Sequence, residues 1–166
     1  DLRFHVDGAY GAPAAVLPEC ADMFKGLNAA DTIAIDPHKW LYAPLEAGCT
    51  LVKDAKHLTG AFSFHPVYYN FDGDPEDPAT NYYDHGLQNS RGFRALKVWM
   101  ALRQAGRNGY EKMIRNDIQL AEQLYLMAHQ QNELEPISHS LSITTFRFVP
   151  ADKKGDEKYR NKLNET

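Results

Sequence analysis

The residue in this chain whose type and setting best suit chemistry is Lys39. It lies near the end of Asp31-Thr-Ile-Ala-Ile-Asp-Pro-His-Lys-Trp40. There an apolar, β-branched run from Thr32 to Ile35 stops at Asp36-Pro37 and delivers His38, Lys39 and a large aromatic, Trp40. Short apolar runs bounded by turn residues read as buried strands of a parallel sheet. Pro37 has no N–H for a ladder and closes the strand. Lys39 therefore falls just past the carboxyl end of a strand, where open α/β sheets gather their ligands. A lysine beside a tryptophan in a partly dry pocket can shed its proton and act as an amine nucleophile. A lone lysine after a strand is more often a solvated loop residue, so its neighbours decide the reading.

Upstream, Leu2-Arg-Phe-His-Val-Asp7 reads as another short strand that ends in an acid and runs into Gly8, Ala9, Gly11 and Ala12. Asp7 and Lys39 are separated by about the length of a strand–helix–strand unit. An acid and a lysine at the ends of nearby parallel strands can face one cavity. Pyridoxal 5'-phosphate needs that layout: the lysine forms a Schiff base with its aldehyde, and the carboxylate keeps its pyridine nitrogen protonated. Small residues after Asp7 leave room for a flat ring. A metal site built from His5, Asp7, Asp36 and His38 has the right residue types, but it has no use for the lysine or the small-residue loop.

His5-Val-Asp-Gly-Ala-Tyr10 followed by Asp36-Pro-His-Lys-Trp40 resembles the group II pyridoxal-phosphate decarboxylases, and most of all their aromatic-L-amino-acid decarboxylase branch. The resemblance continues through Leu58-Thr-Gly-Ala-Phe62 and Arg91-Gly-Phe-Arg-Ala-Leu-Lys-Val-Trp99 to Phe146-Arg-Phe-Val149. It implies that Lys39 is the Schiff-base lysine, Asp7 the pyridinium partner, Ala9 the small residue against one face of the ring, and His38 a neighbour of the phosphate. It also implies a lid tyrosine that reprotonates the substrate carbon, placed at Tyr68, with Tyr69 one residue away. Relatives with phenylalanine there tend toward aldehyde formation. Asp36 stands where animal members tend to carry asparagine. A carboxylate beside a phosphate is repulsive unless turned away, so Asp36 is left out of the direct ligands. Arg91 reads as a structural or interface residue, although a substrate-carboxylate fork is conceivable.

These residues need a scaffold, and the chain supplies one of α/β type. Strands are expected at 2–7, at 32–36 and at 48–53, with a Gly/Ala/Pro loop over 8–18 and a short helix over 19–27. Asp54 is a plausible cap for a short helix after the third strand. Residues 63–87 are a long loop rich in proline, acids and aromatics, and a loop of that length inside a compact domain is usually functional. Phe93, Leu96, Trp99 and Met100 suggest a helix ended by Gly106. A second helix follows from about 108 to 131, with Ile114, Ile118, Ala121, Tyr125 and Ala128 on its buried face. Trp99 and Tyr125 are expected in the core. Residues 141–149 read as a strand from their β-branched and aromatic content.

The resemblance implies the aspartate-aminotransferase type of pyridoxal-phosphate-dependent transferase fold: a mostly parallel sheet with flanking helices, then the start of a small α+β domain. Residues 1–106 would be the second half of the large domain, including the lid-like loop 63–87. Residues 107–166 would be the connecting helix and an incomplete small domain. It further implies a piece of a longer polypeptide, without the family's ring-stacking histidine.

The chain has 166 residues, 43% of them hydrophobic, and a net charge of −4. That is enough for a sizeable core, with no basic patch for nucleic acid and no apolar run fit for a bilayer. Cys20 and Cys49 lack metal-ligand spacing, and with no leader pattern at Asp1-Leu-Arg-Phe4 a cytoplasmic setting is expected. The resemblance implies decarboxylation of an L-amino acid, aromatic in kind, to the amine and CO2 by a homodimer. The rivals are another enzyme class on the same fold (an aminotransferase or an aldehyde synthase) and a non-catalytic piece that only packs or dimerises.

Overall fold

The computed structural model describes residues 2–66, 68 and 81–165. They divide into two compact units, Asp1–Tyr10 with Lys25–Ala101 and Gly11–Phe24 with Leu102–Thr166.

The first unit holds a three-stranded sheet in the order β1 (His5–Asp7), β2 (Thr32–Ile35), β3 (Cys49–Val52). β1 and β2 are parallel, with His5 opposite Thr32 and Asp7 opposite Ala34. β3 pairs with β2 antiparallel, Ile35 facing Cys49. The connection from β2 to β3 contains no helix, and a parallel return needs a crossover, usually helical. An antiparallel edge strand on a parallel sheet is a common outcome. Helix α1 (Lys56–Phe62) follows β3, and the backbone N–H of Lys56 donates to Asp54 Oδ1 at 3.0 Å, so Asp54 caps it as the sequence suggests. The buried residues of this unit include Ala30, Trp40, Ala43 and Ala47.

The second unit begins with tight 3-10 turns, Ala12–Val16 and Pro18–Phe24, where the sequence suggested a loop and then an ordinary helix. Pro13 and Pro18 cannot donate to the preceding turn, which favours short, tightly wound pieces over an α-helix. Helix α2 (Arg94–His129) spans both expected helices and is broken at Gly106, whose φ of 63° and ψ of 175° suit glycine alone. In its second half Ile114, Ala121 and Ala128 are buried and Tyr125 is half-buried, its ring edge-on to His129 at 4.7 Å. Trp99 is not a core residue: it is 59% exposed, with Phe93, Leu96 and Met100 also exposed. Helical spacing marks an apolar face without saying what covers it.

The expected strand at the carboxy-terminal end is one arm of a hairpin, β4 (Leu134–Ser140) and β5 (Ile143–Phe148). β4 was not legible because Pro136 interrupts it. The register shifts between Pro136 and Ser138, and a bulge is one of the few places in a ladder that tolerates proline. Helix α3 (Glu157–Asn164) closes the unit, capped by Asp156 Oδ1 on the Tyr159 N–H at 3.0 Å. Arg147 on β5 donates to Glu135 on β4 and to Glu157 at 2.8 Å and Asn161 at 2.9 Å on α3, fastening helix to hairpin.

Candidate active site

The carboxyl ends of β1 and β2 are tied together through the backbone. The Gly8 N–H donates to the Ala34 carbonyl at 3.0 Å, and the Asp36 N–H donates to the Ala9 carbonyl at 3.0 Å. Asp7 and Ala9 thus lie beside the segment that carries Lys39. Asp36-Pro37-His38-Lys39 is a β-turn in which the Lys39 N–H donates to the Asp36 carbonyl at 2.9 Å. Aspartate first and proline second are favoured in such turns because one bonds locally and the other pre-sets φ.

Each candidate side chain has a definite setting. Asp7 is exposed, and its Oδ1 accepts the Ala9 N–H at 3.1 Å, which leaves Oδ2 without a partner among the described residues. His38 Nδ1 lies 2.6 Å from the Ala47 carbonyl oxygen and 3.0 Å from the Ala47 N–H. One nitrogen cannot serve both at once, and the shorter contact favours Nδ1–H donating to the carbonyl. Either way the ring is fixed by Ala47 and Nε2 is left for another partner. Lys39 is 43% exposed along its side chain, and its Nζ sits 2.8 Å from Asp36 Oδ2. The described residues therefore do not enclose the lysine in a dry pocket. The Asp36 carboxyl is held below the usual carboxylate range, chiefly by the hydrogen bond from Lys39, against some desolvation and with help from the Lys39 and His38 charges. Asp36 is turned toward the lysine.

Trp40 is 2% exposed and stacks on Tyr10, with ring centroids 5.0 Å apart and planes 1° from parallel. The pair locks the segment leaving β1 against the segment leaving the Lys39 turn. Trp40 is thus a clamp under the site and presents no free face for recognising an aromatic substrate.

Tyr68 is 79% exposed. Tyr69, the alternative lid residue, lies outside the described residues. Near Tyr68 in sequence, Ser63 Oγ lies 2.9 Å from His65 Nε2 and donates to Asp84 Oδ1 at 3.2 Å, with His65 Nε2 3.4 Å from the same carboxylate oxygen. Serine and aspartate share one nitrogen, so this is no relay for nucleophilic catalysis; it fastens residues 63–65 to the short turn Tyr82–His85. Neither this clasp nor the Ala47 clip on His38 was foreseen. Backbone carbonyls and small clusters across a long loop leave no motif. Among the described residues no group of His, Cys, Asp and Glu is arranged to hold a metal ion.

The family model described as the pyridoxal-dependent decarboxylase conserved domain matches residues 1–149. The chain belongs to that family. It is 34% identical over 153 residues to an aromatic-L-amino-acid decarboxylase of Bacillus atrophaeus, covering 92% of this chain and 32% of that protein. It is 32% identical to the phenylacetaldehyde synthase of Arabidopsis thaliana, covering 98% of this chain and 33% of that one. Among solved structures it is similar to Oryza sativa TDC with PLP and tryptamine, at a TM-score of 0.88 and 27% identity over 98% of this chain and 34% of that chain. The fold is accordingly part of the aspartate-aminotransferase type of pyridoxal-phosphate-dependent transferase fold. The chain spans about a third of the length of these relatives.

Proposed function

We propose that the protein to which this chain belongs decarboxylates an aromatic L-amino acid with pyridoxal 5'-phosphate, giving the amine and CO2. The observation that carries the reading is the meeting of Asp7 and the Lys39 turn at the carboxyl ends of two parallel, hydrogen-bonded strands, in a member of a pyridoxal-dependent family. The residues fit that cofactor. Lys39 offers an amine at an open strand end. Asp7 keeps one oxygen free for a ring N–H, Ala9 is small enough to lie under a flat ring, and His38 is fixed with Nε2 available for a phosphate oxygen. When bound, pyridoxal phosphate supplies an electron sink for the pair left behind as carbon dioxide departs.

The protein's own groups do the rest. Lys39 would hold the cofactor through its amine and give way to the amine of the substrate. Asp7 would keep a proton on the ring nitrogen, and Tyr68 would deliver one to the substrate carbon. Residues 1–106 and 107–166 would act as the end of the cofactor-binding domain and the start of a smaller one. The exposed stripe of Phe93, Leu96, Trp99 and Met100 supports a homodimer. Two free cysteines support a cytoplasmic location, and among the described residues no helix is long and apolar enough to cross a membrane.

An aldehyde synthase is the second reading, favoured by the similarity to the Arabidopsis enzyme. Product analysis with L-tyrosine and L-tryptophan separates the two. Amine and CO2 in equal amounts support decarboxylation; aldehyde with ammonia and peroxide overturns it in favour of the synthase. Tyr68→Phe is expected to move the product toward the aldehyde.

A further inference from the structure

We propose that Asp36 is a positioning residue for Lys39, a counter-ion that holds the lysine head at the mouth of the turn and restrains its reaction until another group displaces it. The inference rests on the reading of Lys39 as the cofactor lysine but stands on its own geometry. Three features converge on it. The β-turn closed by the Lys39 N–H on the Asp36 carbonyl sets the two side chains on one side of the turn. Their heads meet at 2.8 Å, with Asp36 the less exposed at 26% against 43% for Lys39. The Asp36 backbone is itself held by the Ala9 carbonyl, and its Oδ1 lies 3.7 Å from where a Cβ at Gly48 would stand. The carboxylate thus stands on a short side chain from a hydrogen-bonded backbone, and the lysine reaches it on a longer, more exposed one.

The chemistry follows from charge. Before an amine bonds to an aldehyde carbon, the ammonium must lose a proton; the N–C bond then forms as the carbonyl oxygen leaves as water. Asp36 stays ionised because the lysine hydrogen bond holds its carboxyl low, which makes it a poor proton acceptor. The proton therefore leaves to solvent, and the carboxylate acts as a counter-ion rather than a base. The nearby His38 ring is clipped to Ala47 through Nδ1, so that nitrogen does not compete with Lys39 for the carboxylate. With the lysine released during turnover, the same carboxylate would receive its head and keep it near the site.

The test is trace acylation with acetic anhydride at pH 7 on the full-length polypeptide freed of pyridoxal phosphate, read by mass spectrometry of the Lys39 peptide, with Lys53, the residue after β3, as internal control. Asp36→Asn, which keeps size and turn chemistry, is expected to raise the Lys39 rate by about fivefold and to leave Lys53 unchanged. Asp36→Glu restores the charge and is expected to bring the rate back toward the natural protein's. Equal Lys39 rates in the natural and Asp36→Asn proteins, or a rise shared by Lys53, would overturn the proposal. Borohydride fixation of pyridoxal phosphate, run in parallel, separates the two claims. Fixation on Lys39 with no acylation change sinks the role of Asp36 alone. A raised acylation rate without fixation sinks the cofactor reading and leaves the Asp36 pair standing.

Discussion

At the scale of single residues, the placement of Asp7 and Lys39 was legible because each closes a run whose composition announces a strand, and the structure sets both at the carboxyl ends of β1 and β2. The partners that fix them were not legible. Ala47 acts through its backbone carbonyl, which any residue would present. Asp36 could have faced a phosphate or turned from it, and only the turn geometry decides. Trp40 was legible as a large aromatic after the lysine, but its partner was not: its ring stacks on Tyr10. Asp7 carries a specific expectation. Asp7→Asn keeps the hydrogen bond to Ala9 and removes the charge, so cofactor fixation on Lys39 should survive. The decarboxylation rate should fall by on the order of 100-fold, the usual loss when one preorganised charge is removed from a developing one. Unchanged kcat would show that Asp7 only caps its turn.

Among the elements, the strands and helices that carry the site followed from apolar periodicity and turn chemistry, and Gly106 was read correctly as a break in α2. β4 was missed because proline normally argues against a strand, and its tolerance here depends on a bulge that no sequence pattern announces. The attachment of α3 to the hairpin was equally hidden, since Arg147 finds Glu135 and Glu157 across the fold. Both glutamates have their carboxyl groups lowered below the ordinary 4.5, chiefly by the Arg147 hydrogen bond. A carboxylate lowered in the folded state contributes stability that is present above its unfolded value and lost as the pH falls through the folded one. Protection of the α3 amides, with the intrinsic pH dependence of exchange divided out, should therefore be high above about pH 5 and fall progressively below about pH 4. In Arg147→Met the exchange should be fast at neutral pH already. Exchange that ignores both acid and the substitution would show the network to be incidental.

For the whole molecule, the family was legible in the paired motifs, whereas the division into two units that share the segment 1–24 between them and the exposed surfaces were not. Trp99, expected in the core from its helical spacing, is 59% exposed, and Phe93 at 76% and Met100 at 58% are exposed near it in sequence. Aromatic residues of this kind are the usual anchors of protein interfaces. The protein should sediment as a dimer, and Trp99→Ala should raise its dissociation constant at least about tenfold. A monomer insensitive to that substitution would refute the homodimer. The account as a whole turns on Lys39, and its most direct test is borohydride reduction of the protein with pyridoxal phosphate, followed by mass spectrometry of the peptide holding residues 36–40. The account predicts a reduced phosphopyridoxyl group on Lys39 that vanishes in Lys39→Ala. An adduct on another lysine, or none on the complete polypeptide, would contradict it.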